Sequence, residues 1–226
     1  SVEHGDNSIT SKRIKEEAEK LDLPSYVIDI NGSYILYDNG SYKIYELDDE
    51  KGFEISSSDT VVFIRGTPTK DSSLDLISEL EKIGICVVNS RVTISTAADK
   101  YRTYIKLKDY GLTQPKTVLI PNEKFLETAV ENLDAKFPLI MKTLRGSKGV
   151  GVLFIESERA LSSIVQLMYK TDSNTDLLIQ EYIKTDFDVR VIVLDGQVIA
   201  TMQREVVEGD FRSNYSQGSN VKPYKL

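Results

Sequence analysis

The chain has 226 residues, of which 40% are hydrophobic and 28% are charged, and its formal net charge at pH 7 is −7. This balance is typical of a globular protein of one or two domains that is long enough to bury a sizeable core. The acidic charge argues against a nucleic-acid partner, and the sequence contains no apolar run of about 20 residues that would predict a membrane span.

Residues 1–90 are predicted to form a small α/β domain. Apolar residues at helical spacing predict one helix over 8–21 and a second helix that stops at Gly84. The dipeptide Asn39-Gly40 predicts a hairpin turn because it tolerates positive φ. Strands alternating with helices indicate a partly parallel sheet, whose first strand is expected to be missing from the sequence. Strands are predicted at 26–30, 34–37, 42–45, 61–64 and 85–88.

The chain has one cysteine and one histidine, which excludes an internal disulfide and a metal site built on histidines. Cys86 lies in an apolar run and is predicted to be a buried small hydrophobic residue, so no internal disulfide can form. This cysteine usage favours a cytoplasmic location. A metal site built on histidines is excluded, and no catalytic role is expected for His4.

Residues 91–176 are predicted to form a second unit. Thr96 is expected to cap a helix that has Asp99 in its first turn and ends at Gly111. The polar stretch 170–176 is interpreted as a linker. Strands are predicted at 118–120, 139–142 and 150–155, and helices around 125–133 and 161–167.

Residues 177–226 are predicted to begin a third segment made of strands. A strand over 177–183 leads into a hairpin, 187–194 and 197–204, with Asp195-Gly196 at its turn. The remaining stretch, 208–226, is polar.

A glycine-rich loop over residues 144–151 is the first candidate site. Its glycines allow backbone N–H groups to approach phosphate oxygens closely, and Lys142, at the end of an apolar strand, adds a point charge suited to phosphate. A strand is predicted after the loop, whereas a P-loop or a dinucleotide-binding fingerprint requires a helix there. Two readings stay open: a flap over phosphates, or a solvated hairpin tip. The candidate ligand-binding residues here are Lys142, Gly146, Ser147, Lys148 and Gly149.

A charged cluster in the last third is the second candidate site. By the two-residue period of a strand, Asp188 and Arg190 share one face, and Arg204 lies on the return strand. One interpretation is a surface hairpin with weak ion pairs. The other is a site for a substrate carboxylate, since arginine favours bidentate recognition of such groups. The cluster also includes Gln180, Glu181, Tyr182, Ile183, Arg212, Ser213 and Asn214.

These motifs together resemble a known family. The run Lys142–Val152 looks like the phosphate flap of the ATP-grasp superfamily. The segments 180–183, 188–190 and 208–214 follow in the order and approximate spacing of the RimK-type ribosomal-protein glutamate ligases. The resemblance implies an ATP-grasp fold preceded by a small Rossmann-like domain, with its C-terminal part truncated.

The resemblance also implies roles for the candidate residues. Lys100 and Lys142 would contact the phosphates of ATP, Glu181 and Tyr182 would lie at the adenine hinge, and Asp188 would reach the ribose. The phosphate and substrate side, including the catalytic groups, would be lined by Arg190, Arg204, Arg212, Ser213 and Asn214.

The activity implied is that of an ATP-dependent carboxylate–amine ligase working through an acyl phosphate. The substrates would be an amino acid and a peptide or protein terminus, glutamate being the usual amino acid of the family, and a glutathione-synthetase-like ligase is the close alternative. The family's Mg²⁺ ligands are expected beyond residue 226, so this sequence predicts none of them.

Two other classes of protein are alternatives to a ligase. A degenerate, non-catalytic nucleotide-binding or interaction module is the main rival. An NAD-dependent oxidoreductase is disfavoured because a strand, not a helix, is predicted after the glycine loop. The oligomeric state stays open, and a homo-oligomer is one of the alternatives.

Overall fold

The computed structural model describes residues 9–46, 51–66, 68, 70–146, 150–206 and 220–226. The chain forms two compact units, Ser1–Ala98 and Asp99–Leu226. Both units mix helices with strands, which confirms the predicted α/β class. Among the helices in the described ranges, none has both the length and the apolar composition needed to cross a membrane.

The first unit contains an antiparallel meander that follows helix α1 (Ile9–Lys20). Strands β1 (Ser33–Asp38) and β2 (Ser41–Glu46) form a hairpin, and β3 (Phe53–Ile55) pairs with the other edge of β2. Both residues of the turn, Asn39-Gly40, have positive φ, as a tight two-residue hairpin loop requires. The predicted hairpin is therefore confirmed, whereas β3 is not predicted by the sequence pattern.

A β-α-β arrangement completes the first unit. Strands β4 (Val61–Phe63) and β5 (Cys86–Val88) pair in parallel, with helix α2 (Asp71–Lys82) between them in the chain. Gly84 follows the end of α2 with a φ of 86°, which confirms the predicted helix stop. Helix α3 (Arg91–Ala97) closes the unit. Its small core consists of Ile44, Ile55, Leu80 and Ile85.

Two predictions for the first unit are wrong. Residues 26–30 do not form a strand, because the Asp29 N–H donates to Glu46 Oε1 at 3.0 Å instead of to a neighbouring strand. Cys86 is exposed instead of buried. The alternation of side chains along residues 85–87 turns Ile85 and Val87 towards the core and leaves Cys86 on the opposite face.

The second unit begins with helix α4 (Lys100–Asp109), and its start corrects the predicted capping. Thr96 does not cap this helix, since it lies inside α3, which Ser90 caps by accepting from Thr93 N–H. Asp99 is itself the N-cap of α4 and does not lie in the first turn. Two short helices thus replace the single predicted helix.

A four-stranded antiparallel sheet forms the body of the second unit. Its strands are β6 (Thr117–Ile120), β7 (Leu139–Thr143), β8 (Val152–Ile155) and β9 (Leu177–Glu181), in the spatial order β6-β9-β7-β8. Helices α5 (Leu126–Leu133) and α6 (Glu158–Thr171) contribute to the core on one face of the sheet. That core contains Ile120, Leu133, Leu139, Met141, Ile155, Leu161, Val165, Tyr169, Leu177 and Ile179.

The core face fixes which side chains reach the opposite face of the sheet. Because Met141 and Ile179 point into the core, the two-residue period places Lys142 of β7 and Gln180 of β9 on the other side. Thr117 of β6 pairs with Gln180 in register and lies on that side as well.

A separate three-stranded antiparallel sheet follows. Strands β10 (Phe187–Leu194) and β11 (Gln197–Glu205) form the predicted hairpin, and Asp195-Gly196 at its turn has positive φ at both residues. Strand β12 (Val221–Pro223) pairs with β11 and lies in a stretch for which no strand is predicted.

Candidate functional site

Lys100 is attached to the end of strand β7 by both its main chain and its side chain. Its backbone N–H donates to the Leu144 carbonyl at 3.0 Å, and its Nζ donates to the Thr143 carbonyl at 2.8 Å and to the Leu144 carbonyl at 3.4 Å. Asp99, only 6% exposed, accepts hydrogen bonds from two N–H groups in the first turn of α4. The cap fixes the start of α4 and therefore holds the Lys100 ammonium where β7 leads into the glycine-rich loop.

Lys142 is the second cation at this position. It is half-buried near the end of β7, and its Nζ donates to Gln180 Oε1 at 2.6 Å. The Gln180 amide in turn donates from Nε2 to Thr117 Oγ1 at 2.8 Å. Among the residues that the structure describes, the ammonium of Lys142 is thus held by a neutral amide and not by a carboxylate.

Both lysines have a lowered pKa, and Lys100 contributes to the shift of Lys142. Burial lowers the pKa of Lys142, and the charge of Lys100 lowers that pKa further. Burial also lowers the pKa of Lys100, although the neighbouring Asp99 carboxylate partly opposes this. Two like charges held close together in a partly desolvated place are unfavourable without an anion between them. The arrangement therefore favours an anionic ligand.

The base of the glycine-rich loop is closed tightly over Thr143. The Thr143 N–H donates to the Gly151 carbonyl at 2.9 Å, and its hydroxyl donates to the Arg145 carbonyl at 2.8 Å. Gly151 has a φ of 75°, and a Cβ there would collide with Thr143 Oγ1. A Cβ on Gly146, at a φ of 141°, would lie 2.8 Å from the Val150 carbonyl oxygen. Both positions require glycine for this chain path.

The rest of the loop lies outside the described residues. Ser147, Lys148 and Gly149 are predicted phosphate ligands from the sequence, and they remain predictions. Gly146 is described, and the Lys100 Nζ would lie 3.8 Å from a Cβ built on it. The first part of the loop is therefore next to the lysine pair.

The predicted adenine hinge begins where β9 ends. The Glu181 N–H donates to the Lys116 carbonyl at 3.0 Å, and the Glu181 carboxylate accepts from the Lys116 N–H at 2.8 Å. Tyr182 packs edge-on against Phe154, with ring centroids 5.1 Å apart. Ile183 is 57% exposed. These contacts tie the hinge segment to the residue before β6 and to a side chain of β8, while its role with adenine stays a prediction.

The charged cluster on β10 and β11 is held by an ion pair within the protein. Arg204 Nε donates to Asp188 Oδ1 at 2.7 Å and Arg204 Nη2 to Oδ2 at 2.6 Å, a bidentate arrangement across the hairpin. Arg190 is exposed on β10. The predicted ligands Arg212, Ser213 and Asn214 lie outside the described residues. The structure therefore brings Asp188 and Arg204 together without testing the predicted site.

Two residues at the site are not predicted from the sequence. Thr117 is 63 positions from Gln180 in the chain, and only the pairing of β6 with β9 brings them together. Nothing in the sequence distinguishes Thr143 from an ordinary threonine at the end of a strand. Within the described ranges, no group of three or more His, Cys, Asp or Glu side chains is placed to hold a metal ion.

Comparison with known proteins gives relatives that span more than this chain. A probable alpha-L-glutamate ligase from Thioalkalivibrio sulfidiphilus is 33% identical over 178 residues, which are 78% of this chain and 58% of that protein. The chain thus spans less than two thirds of the length of this curated relative.

Solved structures share the fold. The ATP-grasp ligase PsnB, complexed with a minimal precursor, matches 98% of this chain and 75% of its own with a TM-score of 0.68 at 17% identity. A RimK domain ATP-grasp protein from Sphaerobacter thermophilus matches 64% of this chain and 54% of its own, with a TM-score of 0.55 at 23% identity.

A family model, the RimK-like ATP-grasp domain, matches residues 97–226, which is more than half of the chain. This range begins two residues before the second compact unit and contains Lys100, Lys142 and the glycine-rich loop. The chain belongs to the RimK-like ATP-grasp family.

Proposed function

We propose that the second unit binds ATP, with the phosphates of the nucleotide between Lys100 and Lys142 and beside the glycine-rich loop. The observation that carries this proposal is the pair of half-buried lysines, each with a lowered pKa, at the end of β7. A polyphosphate would supply the missing negative charge, and compact ammonium groups suit phosphate as point charges.

The residues present fit a nucleotide. The glycines at both ends of the loop leave room for a backbone path that side chains would block, as phosphate-binding loops require. The hinge residues Glu181 and Tyr182 would lie at the adenine, and Asp188, oriented by Arg204, would reach the ribose. Ser147, Lys148 and Gly149 would complete the phosphate side.

For the whole protein we propose the activity of a carboxylate–amine ligase. ATP, when bound, supplies the phosphoryl group that activates a carboxylate as an acyl phosphate, and an amine then displaces phosphate. Arg190, Arg204, Arg212 and Asn214 would bind the substrate carboxylate and stabilise developing charge. The relative named as a probable alpha-L-glutamate ligase and the neighbour solved with a precursor support an amino acid and a peptide or protein terminus as substrates.

The described residues hold no group of three or more His, Cys, Asp or Glu side chains that could bind Mg²⁺. The phosphate contacts proposed here use only the side chains and main chain of this unit.

A melting experiment with nucleotide tests the proposal. A ligand that binds only the folded state raises the melting temperature. We expect ADP, with or without Mg²⁺, to raise the Tm of the wild type and to have a much smaller effect on Lys142→Ala. Lys170→Ala serves as the control, because Lys170 lies exposed on α6, a helix that packs on the face of the sheet opposite Lys142.

Release of ADP in the presence of amino-acid and peptide substrates separates a ligase from a non-catalytic nucleotide-binding module. An equal Tm increase in the wild type and in Lys142→Ala, or no increase for a folded wild type, would contradict the phosphate assignment.

A further inference from the structure

A continuous chain of hydrogen bonds runs from Lys142 across the sheet to the loop before β6. Lys142 Nζ donates to Gln180 Oε1 at 2.6 Å, and Gln180 Nε2 donates to Thr117 Oγ1 at 2.8 Å. The Thr117 hydroxyl donates to the Pro115 carbonyl at 2.8 Å. Three neighbouring strands, β7, β9 and β6, each contribute one side chain, and all three side chains are half-buried.

Only one direction of donation is possible along this chain. An ammonium group donates and cannot accept, so the oxygen of the Gln180 amide must face Lys142 and its NH₂ must face Thr117. A backbone carbonyl only accepts, so the Thr117 proton must point to Pro115 and leave a lone pair for the amide. Thr117 and Lys142 thereby select the same orientation of the Gln180 amide.

The orientation of that amide decides whether Lys142 faces a hydrogen-bond acceptor or a donor. With its oxygen towards Lys142, Gln180 accepts from the ammonium. If the amide were rotated by 180°, its NH₂ group would face Lys142 instead. Two donor groups would then point at each other, and the ammonium would be repelled. The field of Lys100, from α4, already disfavours a charge at Lys142, so this acceptor matters more than it would for an isolated lysine.

We propose that Thr117 is a positioning residue for phosphate binding, which acts by fixing the Gln180 amide so that Lys142 is held towards the ligand. This inference rests on the proposed function, because it assumes that Lys142 binds phosphate. Thr117 itself touches no ligand in this scheme, and its effect passes entirely through Gln180 and Lys142.

A double-mutant cycle on ADP affinity tests this coupling. The dissociation constant for ADP is measured by calorimetry for the wild type, Thr117→Val, Lys142→Ala and the double variant. Valine keeps the shape of threonine and removes the hydroxyl. Residues that act as a unit are not additive, so we expect Thr117→Val to weaken ADP binding by about threefold to tenfold alone and by less than about twofold in the Lys142→Ala background.

Two further variants separate a positioning role from a general loss of structure. Thr117→Ser keeps the hydroxyl and should retain wild-type affinity. Thr171→Val removes a hydroxyl that donates to the Leu167 carbonyl on α6, far along the chain from the site, and should also leave the affinity unchanged. Melting without nucleotide checks each fold, and if Thr117→Val is unfolded, Thr117→Ala takes its place.

The possible outcomes separate this inference from the proposed function. A wild type that fails to bind ADP, or that binds it no better than Lys142→Ala, overturns both. A loss in Lys142→Ala with wild-type affinity in Thr117→Val overturns only the role of Thr117. An equal loss from Thr117→Val in both backgrounds also overturns it, because the residue would then act independently of Lys142.

Discussion

The lysine pair near the end of β7 and the ion pair on the β10–β11 hairpin use charge in opposite ways. Lys100 and Lys142 bring two positive charges together, and each has a lowered pKa. Asp188 and Arg204 bring opposite charges together in a bidentate contact. The family resemblance implies that both sets lie at one ATP site, with Asp188 at the ribose and Arg204 on the phosphate and substrate side.

The difference indicates where a ligand is needed. Charges that neutralise each other within the protein are already stabilised in its free form, so the hairpin pair contributes to folding. Charges of one sign that are held together repel each other until an anion binds, and Asp99 offsets this only partly at Lys100. The lysine pair is therefore the stronger evidence for a phosphate site, and substitutions in the two regions should affect different measurements.

The largest expected effect comes from Lys100→Ala. The change removes a cation and also the tie between α4 and the Thr143 carbonyl, so ADP affinity should fall roughly tenfold to a hundredfold, the range for a hydrogen bond to a charged group. Calorimetry measures this. Lys108→Ala, at an exposed position on the same helix, is the matched control, and equal losses in the two variants would remove the special role of Lys100.

Gly151→Ala should destabilise the protein because of both its backbone conformation and its surroundings. The matched control is Gly111→Ala, since Gly111 has nearly the same φ, 72° against 75°, but open space within 4 Å of where its Cβ would lie. Both changes incur the cost of positive φ, about 1–2 kcal/mol in the free energy of unfolding. The collision with Thr143 should add about 1 kcal/mol for Gly151 alone, measured by urea unfolding. Equal losses would mean that the loop base is not closed as described.

Arg204→Ala should lower the free energy of unfolding by about 1 kcal/mol, because it leaves the half-buried Asp188 carboxylate without its bidentate partner. The more exposed pair of Lys222 and Glu205 provides the control, and Lys222→Ala should lower the free energy of unfolding by less than Arg204→Ala does. Lys142→Ala should not destabilise the free protein, since it removes a like-charge repulsion. If Lys142→Ala lowered the free energy of unfolding more than Arg204→Ala does, the lysine and not the ion pair would stabilise the free protein, which would contradict this comparison.

The smallest effects are those of pH, and they should have opposite signs for stability and binding. Below its lowered pKa, Lys142 is charged in the folded protein at a cost, and this destabilisation is relieved as the pH rises through that pKa towards the ordinary value of 10.5. ADP binding requires the charged lysine, so its affinity should fall over the same pH range. The free energy of unfolding and the ADP affinity are measured against pH for the wild type and for Lys142→Ala. The difference between the two proteins gives the contribution of Lys142. A difference that does not change with pH would contradict the lowered pKa.

Local chemistry allowed the turns and helix ends to be predicted. Asn39-Gly40 and Asp195-Gly196 specify hairpin turns through positive φ, and Gly84 ends α2 for the same reason. Long-range pairing was not predictable in this way. Residues 26–30 have the composition of a strand but find no partner strand, because a side chain, Glu46, takes the Asp29 N–H.

At the candidate site, too, the residues marked by local sequence are predictable, and those that depend on long-range strand pairing are not. Lys142 and the glycines are predictable because their residue types in that spacing suit phosphate. The contribution of Thr117 is not, because it depends on the register between strands far apart in sequence. The sequence pattern favours Thr96 over Asp99 as the N-cap and is wrong, because both residue types favour N-caps and the two residues lie only three positions apart.

The most direct measurement is an NMR titration of the Lys142 side chain in the free protein and with ADP bound. The resonance is identified by its absence from Lys142→Ala. If phosphate neutralises the lysine pair, the pKa of Lys142 lies below 10.5 in the free protein and rises when ADP binds. The same pKa in both states, at a saturating concentration of ADP, would contradict the claim that these two lysines hold the phosphates.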